Sequence, residues 1–387
     1  MNIIVAPDSF KGSLTALEAA DAIVQGVRAV LPDAEIVPIP LADGGEGTVE
    51  ALVLPTRGRL LSRKVTGPMG DTVEAAFGVL GDDVTGVIEM AEAAGLPLVP
   101  PERRNPLLAT TYGVGELLLA ALSEGCTRII VGLGGSATND GGAGLAQALG
   151  VRLLDPQGRE LGRGAAALPS LDHIDISGLD PRLASATIYA ASDVTNPLCG
   201  PHGASAVYGP QKGASPQVVD LLDKALAHFA SVIERDLGVS VRDLAGAGAA
   251  GGLGAGLVAF CGAEVRSGAS LVLQTLRFEE YLDAADLVIT GEGRIDNQID
   301  YGKAIRGVAL LAERYDVPVI AFTGCLQEEP EKLASLGVKS VVPIADSPMT
   351  EEEAMSRAGD LLQAAAERTV RLLLLGRTLG EGRWIVR

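Results

Sequence analysis

Apolar residues follow strand-like and helix-like spacings in turn at the start of the chain. Residues 2–6 form a short apolar run typical of a buried strand, and residues 15–30 place apolar side chains at helical intervals. Thr15 and Glu18 have the spacing of a capping box, which predicts that the helix begins there. Residues 35–39 predict the next strand. Such alternation predicts parallel strands joined by right-handed helical connections.

The C-terminal third repeats this pattern, whereas the middle of the chain differs. The C-terminal pattern predicts strands at residues 287–290, 317–322 and 340–344, and helices at residues 304–315, 331–336 and 351–375. In the middle, residues 59–66 and 72–79 are separated by GPMGD and predict a β-hairpin. Long loops rich in Gly and Pro fill residues 155–215.

Together these patterns predict an α/β fold with two α/β domains. We expect a doubly wound, Rossmann-like domain with a parallel sheet, built from residues 1–60 and 284–387. A second α/β domain, residues 61–283, is inserted between these segments. Gly-rich loops at both boundaries should then face one cleft, which is where we expect the active site.

Composition narrows the classes of function. The formal net charge is −18 and the Lys and Arg residues are scattered, which argues against a nucleic-acid partner or an anionic membrane surface. The four cysteines form no CxxC pair, so we expect neither a zinc site nor disulfides, and a reducing cytoplasm fits best. No secretory signal pattern opens the chain. Residues 244–263 carry no charge over a membrane length, but their seven glycines disfavour a lipid-facing helix.

The motif VGLGGSATNDGGAG, residues 131–144, lies between a predicted buried strand and a predicted helix. Such a turn presents backbone N–H groups at the positive end of a helix, which favours phosphate or carboxylate. The candidate phosphate- or substrate-binding residues in it are Gly134, Gly135, Ser136, Thr138 and Asn139. The alternative is a tight strand-to-helix connection in which Asn139 or Asp140 caps the helix.

Four further polar loops begin where a predicted strand ends, and open α/β sheets bind ligands at those ends. In PDSFKGS, Ser9 and Lys11 suit a phosphate group, although Lys11 alone is also typical of an exposed loop. In ADGGEGT, Asp43 and Glu46 suit magnesium or a substrate hydroxyl. A helix N-terminus would equally explain Glu46.

The other two loops lie later in the chain. A long loop rich in Gly and Pro supplies Asp193, Asn196 and Lys212, with Asn196 as a further phosphate- or substrate-binding candidate. The loop expected after residue 290 supplies Arg294 and Asp296 among alternating acids and bases. Such a loop suits magnesium and a triphosphate, or else forms a solvated turn.

A literal G-x-G-x-x-G occurs at Gly246, Gly248 and Gly251, which leaves open an NAD-dependent oxidoreductase of a small hydroxy acid. No buried strand precedes it, so the context of a dinucleotide fingerprint is missing. The four-residue spacing of Gly248, Gly252 and Gly256 instead favours a helix packed closely against another backbone. A non-catalytic protein that binds a sugar acid or a nucleotide would also retain these loops.

The most specific signal is an ordered series of long motifs. They are VAPDSFKGSLTALEAADAI, LADGGEGTVEAL, IEMAEAAGLPLVPPERRNPLLATTYGVGELLLAAL, VGLGGSATNDGGAG, SDVTNPLCGPHGASAVYGPQKGA, GAGAAGGLGAGL and ADLVITGEGRID. Together they closely resemble the bacterial type I glycerate kinase family, from about residue 2 to beyond residue 307. Three positions depart from the pattern: Thr195, where an acid is common, and Ile299 and Ile305, where Thr and Pro are common.

The resemblance implies ATP-dependent phosphorylation of D-glycerate to 2-phosphoglycerate with Mg²⁺, on two α/β domains with the active site between them. For that reaction we favour Asp193 as the base, because it directly follows the apolar run IYAA, with Asp43 and Asp296 as alternatives. The candidate catalytic residues are then Asp193, Lys212 and Arg294, and the candidate metal ligands are Asp43, Glu46 and Asp296. We expect no nucleic-acid or membrane partner, and leave a homodimer open.

Overall fold

The computed structural model describes residues 1–295, 303–327 and 336–380. Its strands are β1 (Asn2–Pro7), β2 (Glu35–Pro38), β3 (Arg59–Thr66), β4 (Thr72–Val79), β5 (Thr85–Glu89), β6 (Arg128–Gly132), β7 (Arg152–Leu154), β8 (His173–Asp175), β9 (Thr187–Ala191), β10 (Glu264–Arg266), β11 (Leu287–Ile295), β12 (Val319–Leu326) and β13 (Val338–Pro343). Its α-helices are α1 (Ala16–Arg28), α2 (Thr48–Val53), α3 (Met90–Ala94), α4 (Tyr112–Ser123), α5 (Ala143–Ala148), α6 (Ala204–Tyr208), α7 (Pro216–Leu237), α8 (Ala249–Cys261), α9 (Gly268–Thr275), α10 (Phe278–Leu282), α11 (Lys303–Arg314), α12 (Glu351–Ser356) and α13 (Ala358–Gly380).

The chain divides into two compact units. The first comprises Met1–Asp43 and the described residues from Val272 onward, and the second comprises Gly44–Leu271. The sequence suggested that the second domain would span residues 61–283. The difference arises because α2 packs on β4 and β5 of the second unit, whereas α10 packs on α11 of the first.

The first unit contains a five-stranded, fully parallel sheet in the order β13-β12-β11-β1-β2. From β1 the chain moves to β2 on one side, and the later strands β11 to β13 extend on the other side. The sheet is therefore doubly wound, as predicted, and the order reverses between β1 and β11. Ligands of open α/β sheets bind beside the carboxyl ends of strands at such a reversal.

Helices α1 and α13 pack against each other in the first unit. Helix α1 begins with the predicted capping box, since Thr15 Oγ1 accepts the Glu18 N–H at 3.2 Å and the Glu18 carboxylate accepts the Thr15 N–H at 2.8 Å. Gly26 allows the close approach, because a Cβ there would collide with the carbonyl oxygen of Gln363. Burial of the apolar faces of the helices and the sheet stabilises this unit.

The second unit contains a six-stranded mixed sheet in the order β10-β9-β6-β5-β4-β3. Strands β5, β6, β9 and β10 are parallel, and β3 and β4 form the predicted hairpin, paired from Arg59 with Val79 to Thr66 with Thr72. The short strands β7 and β8 form a separate antiparallel pair. The insertion of a second α/β domain between the two segments of the first is thus confirmed.

Three expectations for the C-terminal third differ from the structure or lie outside it. Strand β11 continues to Ile295 instead of ending at residue 290, because residues 291–295 pair with β12. The helix expected over residues 351–375 is two helices, separated at Arg357. The helix expected over residues 331–336 falls mainly outside the described residues. In the part of the chain that the structure describes, no helix is long and apolar enough to cross a membrane.

Candidate functional site

A glycine-rich turn, residues 133–142, follows β6 in the second unit. Its first part lies against the loop that precedes α2, where Gly134 donates its N–H to the carbonyl oxygen of Gly44 at 3.2 Å. A Cβ on Gly132 would lie 2.5 Å from the Gly44 oxygen, and a Cβ on Gly134 would lie 2.5 Å from the Gly45 Cα. Glycine is therefore required both at the end of β6 and in the turn, because any side chain would push the two segments apart.

The side chain of Lys212, from the long loop after β9, is buried against this turn. This side chain is 1% exposed, and its Nζ donates to Ser136 Oγ and to the Thr138 carbonyl oxygen, both at 2.7 Å. Burial lowers the pKa of Lys212 to about 7, while the nearby charge of Asp140 acts in the opposite direction. The structure thus brings together three residues that the sequence placed in two separate candidate loops.

The carboxylate of Asp140 accepts hydrogen bonds from N–H groups at the start of α5. Its carboxylate accepts N–H groups from Thr111, Gly142 and Gly144 at 2.9–3.2 Å, and also the Thr111 hydroxyl. Burial raises the pKa of Asp140, and these N–H groups lower it. The end of the helix that we expected to face an anion is therefore satisfied internally, as in the alternative of a capped connection.

Other donors of the turn remain. In the part of the chain that the structure describes, five backbone N–H groups of the turn have no hydrogen-bond partner, those of Gly135, Ser136, Thr138, Asn139 and Asp140. Gly135 is exposed and has a φ of +72°, while Ser136 is buried beside Lys212. Asn139 is fully buried, and its Nδ2 donates to Ser205 Oγ at 2.9 Å. Of these donors, the Gly135 N–H belongs to an exposed residue, so Gly135, its neighbour Ser136 and the Lys212 ammonium bonded to Ser136 are the candidates for binding an anion.

Helix α8 packs directly against the turn. Gly141 donates its N–H to the Gly251 carbonyl oxygen at 3.0 Å. A Cβ on Gly251 would collide with the Thr138 carbonyl oxygen, and a Cβ on Gly256 would lie 2.7 Å from the Gly142 Cα. Protein backbone occupies the space beside these glycines, so the prediction of close packing is confirmed, and the G-x-G-x-x-G motif leaves no space for a dinucleotide. The prediction of one regular helix through Gly252 is wrong, because Ala250, Gly251 and Gly252 have positive φ angles of +52°, +68° and +90° that interrupt α8.

In the long loop after β9, the candidates Asp193 and Asn196 have different hydrogen-bond partners. Asp193 is half-buried, and its Oδ1 accepts the Gly268 N–H at the start of α9 at 3.2 Å. Asn196 uses both ends of its amide within the loop, since Nδ2 donates to the His202 carbonyl oxygen and Oδ1 accepts the Tyr208 hydroxyl, both at 2.8 Å. Asn196 therefore holds the loop together. Thr195, which departs from the family pattern, is exposed.

The first unit has a cavity of about 910 Å³ at the carboxyl ends of its parallel strands. Ser9, Lys11 and Arg294 line it, together with apolar side chains that include Met349. Arg294 lies on β11 and is 3.6 Å from a carboxylate oxygen of Glu351, with both side chains more than half exposed. Such a surface ion pair contributes little energy, so the guanidinium is available to a ligand anion.

Asp8 is an acidic residue of this cavity that the sequence reasoning missed, although it lies in the PDSFKGS motif. Burial and the nearby charge of Asp43 raise the pKa of Asp8 to about 7. Of the other expected metal ligands, Glu46 is an exposed residue of the second unit, and Asp296 lies outside the described residues. The described ranges contain no group of three or more His, Cys, Asp or Glu residues suited to a metal ion.

Three comparisons with known proteins point to one family. The sequence model of the Glycerate kinase family matches residues 3–374. The chain is 50% identical to a glycerate kinase of Bacillus subtilis (strain 168), over 98% of this chain and 99% of the relative. It is also 50% identical to the glycerate 2-kinase of Escherichia coli (strain K12), over 97% and 99%. A crystal structure described as a glycerate kinase 2 from Salmonella typhimurium LT2 matches with a TM-score of 0.89 at 51% identity, over 98% of this chain and 99% of that one.

We predict that the titration of Lys212 makes the free energy of unfolding increase as the pH rises from about 7 to 9. In this interval the unfolded chain keeps the proton of this lysine, whose ordinary pKa is 10.5, whereas the folded protein releases it near pH 7. The free energy of unfolding should therefore rise by about 2 kcal/mol more in the wild type than in Lys212→Met, measured by urea titration at both pH values. Lys224→Met removes an exposed lysine and should behave as the wild type. An equal rise in Lys212→Met would show that Lys212 does not titrate in this range.

Proposed function

Because this chain belongs to the glycerate kinase family, we propose that it transfers the γ-phosphoryl group of ATP to the 2-hydroxyl of D-glycerate. The products are 2-phosphoglycerate and ADP. The observation that supports this most directly is the near-full-length similarity to a protein named glycerate 2-kinase. Phosphoryl transfer depends on positioning and charge neutralisation more than on covalent chemistry, and the two sites described above supply both.

ATP binds in the cavity of the first unit. Its volume of about 910 Å³ lies within the range of small-molecule sites, and its position at the carboxyl ends of parallel strands is the usual one for nucleotides. Lys11 and Arg294 supply positive charge for the phosphates, and Ser9 supplies a hydroxyl. Met349 and Met355 provide an apolar wall against which the adenine ring packs.

D-glycerate binds through its carboxylate at the glycine-rich turn. The N–H groups of Gly135 and Ser136 are the donors for this anion, and the Lys212 ammonium adds positive charge next to them. Lys212 also keeps the turn in shape through its bonds to Ser136 and Thr138. A small carboxylate suits this turn better than a triphosphate, because only Gly135 of the two donors is exposed and Ser136 and the following residues of the turn are buried.

Mg²⁺ fits the carboxylate pair Asp8 and Asp43 in the first unit. These two side chains lie close enough for their charges to repel, and oxygen donors of this kind suit a hard cation that also binds substrate phosphates and water. Asp8 takes the place in the ligand set that we expected for Glu46. When bound, the ion supplies neutralisation of charge on the phosphate oxygens.

Asp193 accepts the proton of the 2-hydroxyl as that oxygen forms its bond to the γ-phosphorus and the bond to ADP breaks. The Gly268 N–H binds one carboxylate oxygen and thereby orients the side chain. A base of this kind contributes through its position in the transition state. Arg294 neutralises charge on the transferred oxygens in this scheme.

The purified protein is expected to release ADP when ATP, Mg²⁺ and D-glycerate are present together. Enolase alone should then convert the product to phosphoenolpyruvate, because enolase acts on the 2-phosphate and not on the 3-phosphate. A product that reacts with enolase only after phosphoglycerate mutase is added would show that the 3-hydroxyl is phosphorylated instead of the 2-hydroxyl. Absence of glycerate-dependent ADP release would refute the proposed activity.

Replacing Asp193 by Asn should lower kcat by about 100-fold or more while ATP affinity, measured by calorimetry, stays unchanged. The amide oxygen still accepts the Gly268 N–H, so the loop keeps its anchor. Asp223→Asn is the matched control, because Asp223 is also half-buried and accepts the Gly200 N–H of the same loop at 2.8 Å. If turnover in Asp193→Asn were close to that of the control, Asp193 would not be the base.

A further inference from the structure

Glu89 is a buried carboxylate for which the mechanism above has no use. It is the last residue of β5, a strand whose other members are buried, and its side chain is 7% exposed. A buried carboxylate costs several kcal/mol unless polar partners compensate for the lost water. Its partners therefore indicate what it does.

Those partners are backbone N–H groups at the start of α2. Glu89 Oε1 accepts the Val49 N–H at 2.7 Å, and the Gly47 N–H also donates to this carboxylate. The residue before the helix is Gly47, which has a φ of +87° and no side chain that could cap the helix. Glu89 on β5 thus caps the N-terminus of α2, a role that Ser, Thr or Asp at the N-cap position usually has.

The segment Gly44 to Gly47 leads directly into α2 and lies against the glycine-rich turn. Gly44 accepts the Gly134 N–H at 3.2 Å, next to the donor Gly135. A Cβ on Gly44 would lie 2.7 Å from the carbonyl oxygen of Ala191, two residues before Asp193. A shift of this segment would therefore disturb the turn and the start of the Asp193 loop together.

We propose that Glu89 is a positioning residue for phosphoryl transfer. By holding Gly47 and Val49, it keeps the segment Gly44 to Gly47 against the turn, and so fixes the donors of the turn and the Asp193 loop in their reactive arrangement. Glu89 itself contacts no substrate. The inference rests on the proposed function, in which that turn binds the glycerate carboxylate.

The kinetic test compares Glu89→Ala, Glu89→Gln and Glu92→Ala with the wild type, at a temperature at which circular dichroism shows every variant folded. Glu89→Ala should lose about 100-fold in kcat/KM for D-glycerate, the size of effect expected when reacting groups shift by about 1 Å. Glu89→Gln should stay within about threefold of the wild type, because its amide oxygen still accepts the Val49 N–H. Glu92→Ala is the matched control, since Glu92 accepts a backbone N–H of β4, from Ala76 at 2.9 Å.

Hydrogen–deuterium exchange provides a second test that needs no catalytic activity. In Glu89→Ala, exchange should accelerate at residues 44–53 and also at residues 132–136, because both segments lose their anchor. In Glu92→Ala, faster exchange should be confined to the hairpin and its neighbours. If the wild type does not phosphorylate glycerate, the proposed function fails, and the exchange pattern still decides whether Glu89 positions the turn.

Three results would overturn the inference. Full activity per folded molecule in Glu89→Ala would leave Glu89 with a purely stabilising role. A loss in Glu89→Gln as large as in Glu89→Ala would show that the negative charge itself takes part in the chemistry. Unchanged exchange at residues 132–136 in Glu89→Ala would show that the anchor does not reach the turn.

Discussion

Burial of the Lys212 ammonium inside the glycine-rich turn is the interaction on which the site of the second unit depends. Removing a cation from water is costly, and the lowered pKa of Lys212, about 7, records that cost. Two hydrogen bonds of 2.7 Å to Ser136 and Thr138 compensate for part of it. Because these bonds fix Lys212 and Ser136, the hydrogen-bond donors of the turn are in position before an anion binds. Electrostatic catalysis depends on such preorganised donors, which need no rearrangement during the reaction.

Around this turn, protein backbones also approach each other without side chains between them. The segment before α2 lies on one part of the turn, and α8 lies on another, with glycine at each contact. Carboxylates then replace the side-chain caps that glycine lacks: Asp140 binds the first N–H groups of α5, and Glu89 binds those of α2. Glycine content, buried acids and the buried lysine are thus parts of one arrangement.

The sequence predicts the fold well, because strand and helix periodicities and the hairpin are local signals. It also identifies Ser136 and Lys212 as candidates, but their contact joins residues 76 positions apart, which no local pattern reveals. The extension of β11 to Ile295 depends on pairing with β12, a long-range interaction that is likewise absent from local spacing. Glu89 was missed because a carboxylate that ends an apolar strand is also typical of an ordinary strand terminus.

The most direct test of this account is calorimetric titration of the protein with D-glycerate at pH 8, in buffers of different ionisation enthalpy. At this pH most of the free protein carries a neutral Lys212, and a carboxylate bound beside it should raise its pKa. The account predicts uptake of up to about one proton per glycerate bound in the wild type, and none in Lys212→Met. Binding heats that are independent of the buffer, or equal proton uptake in the variant, would contradict it.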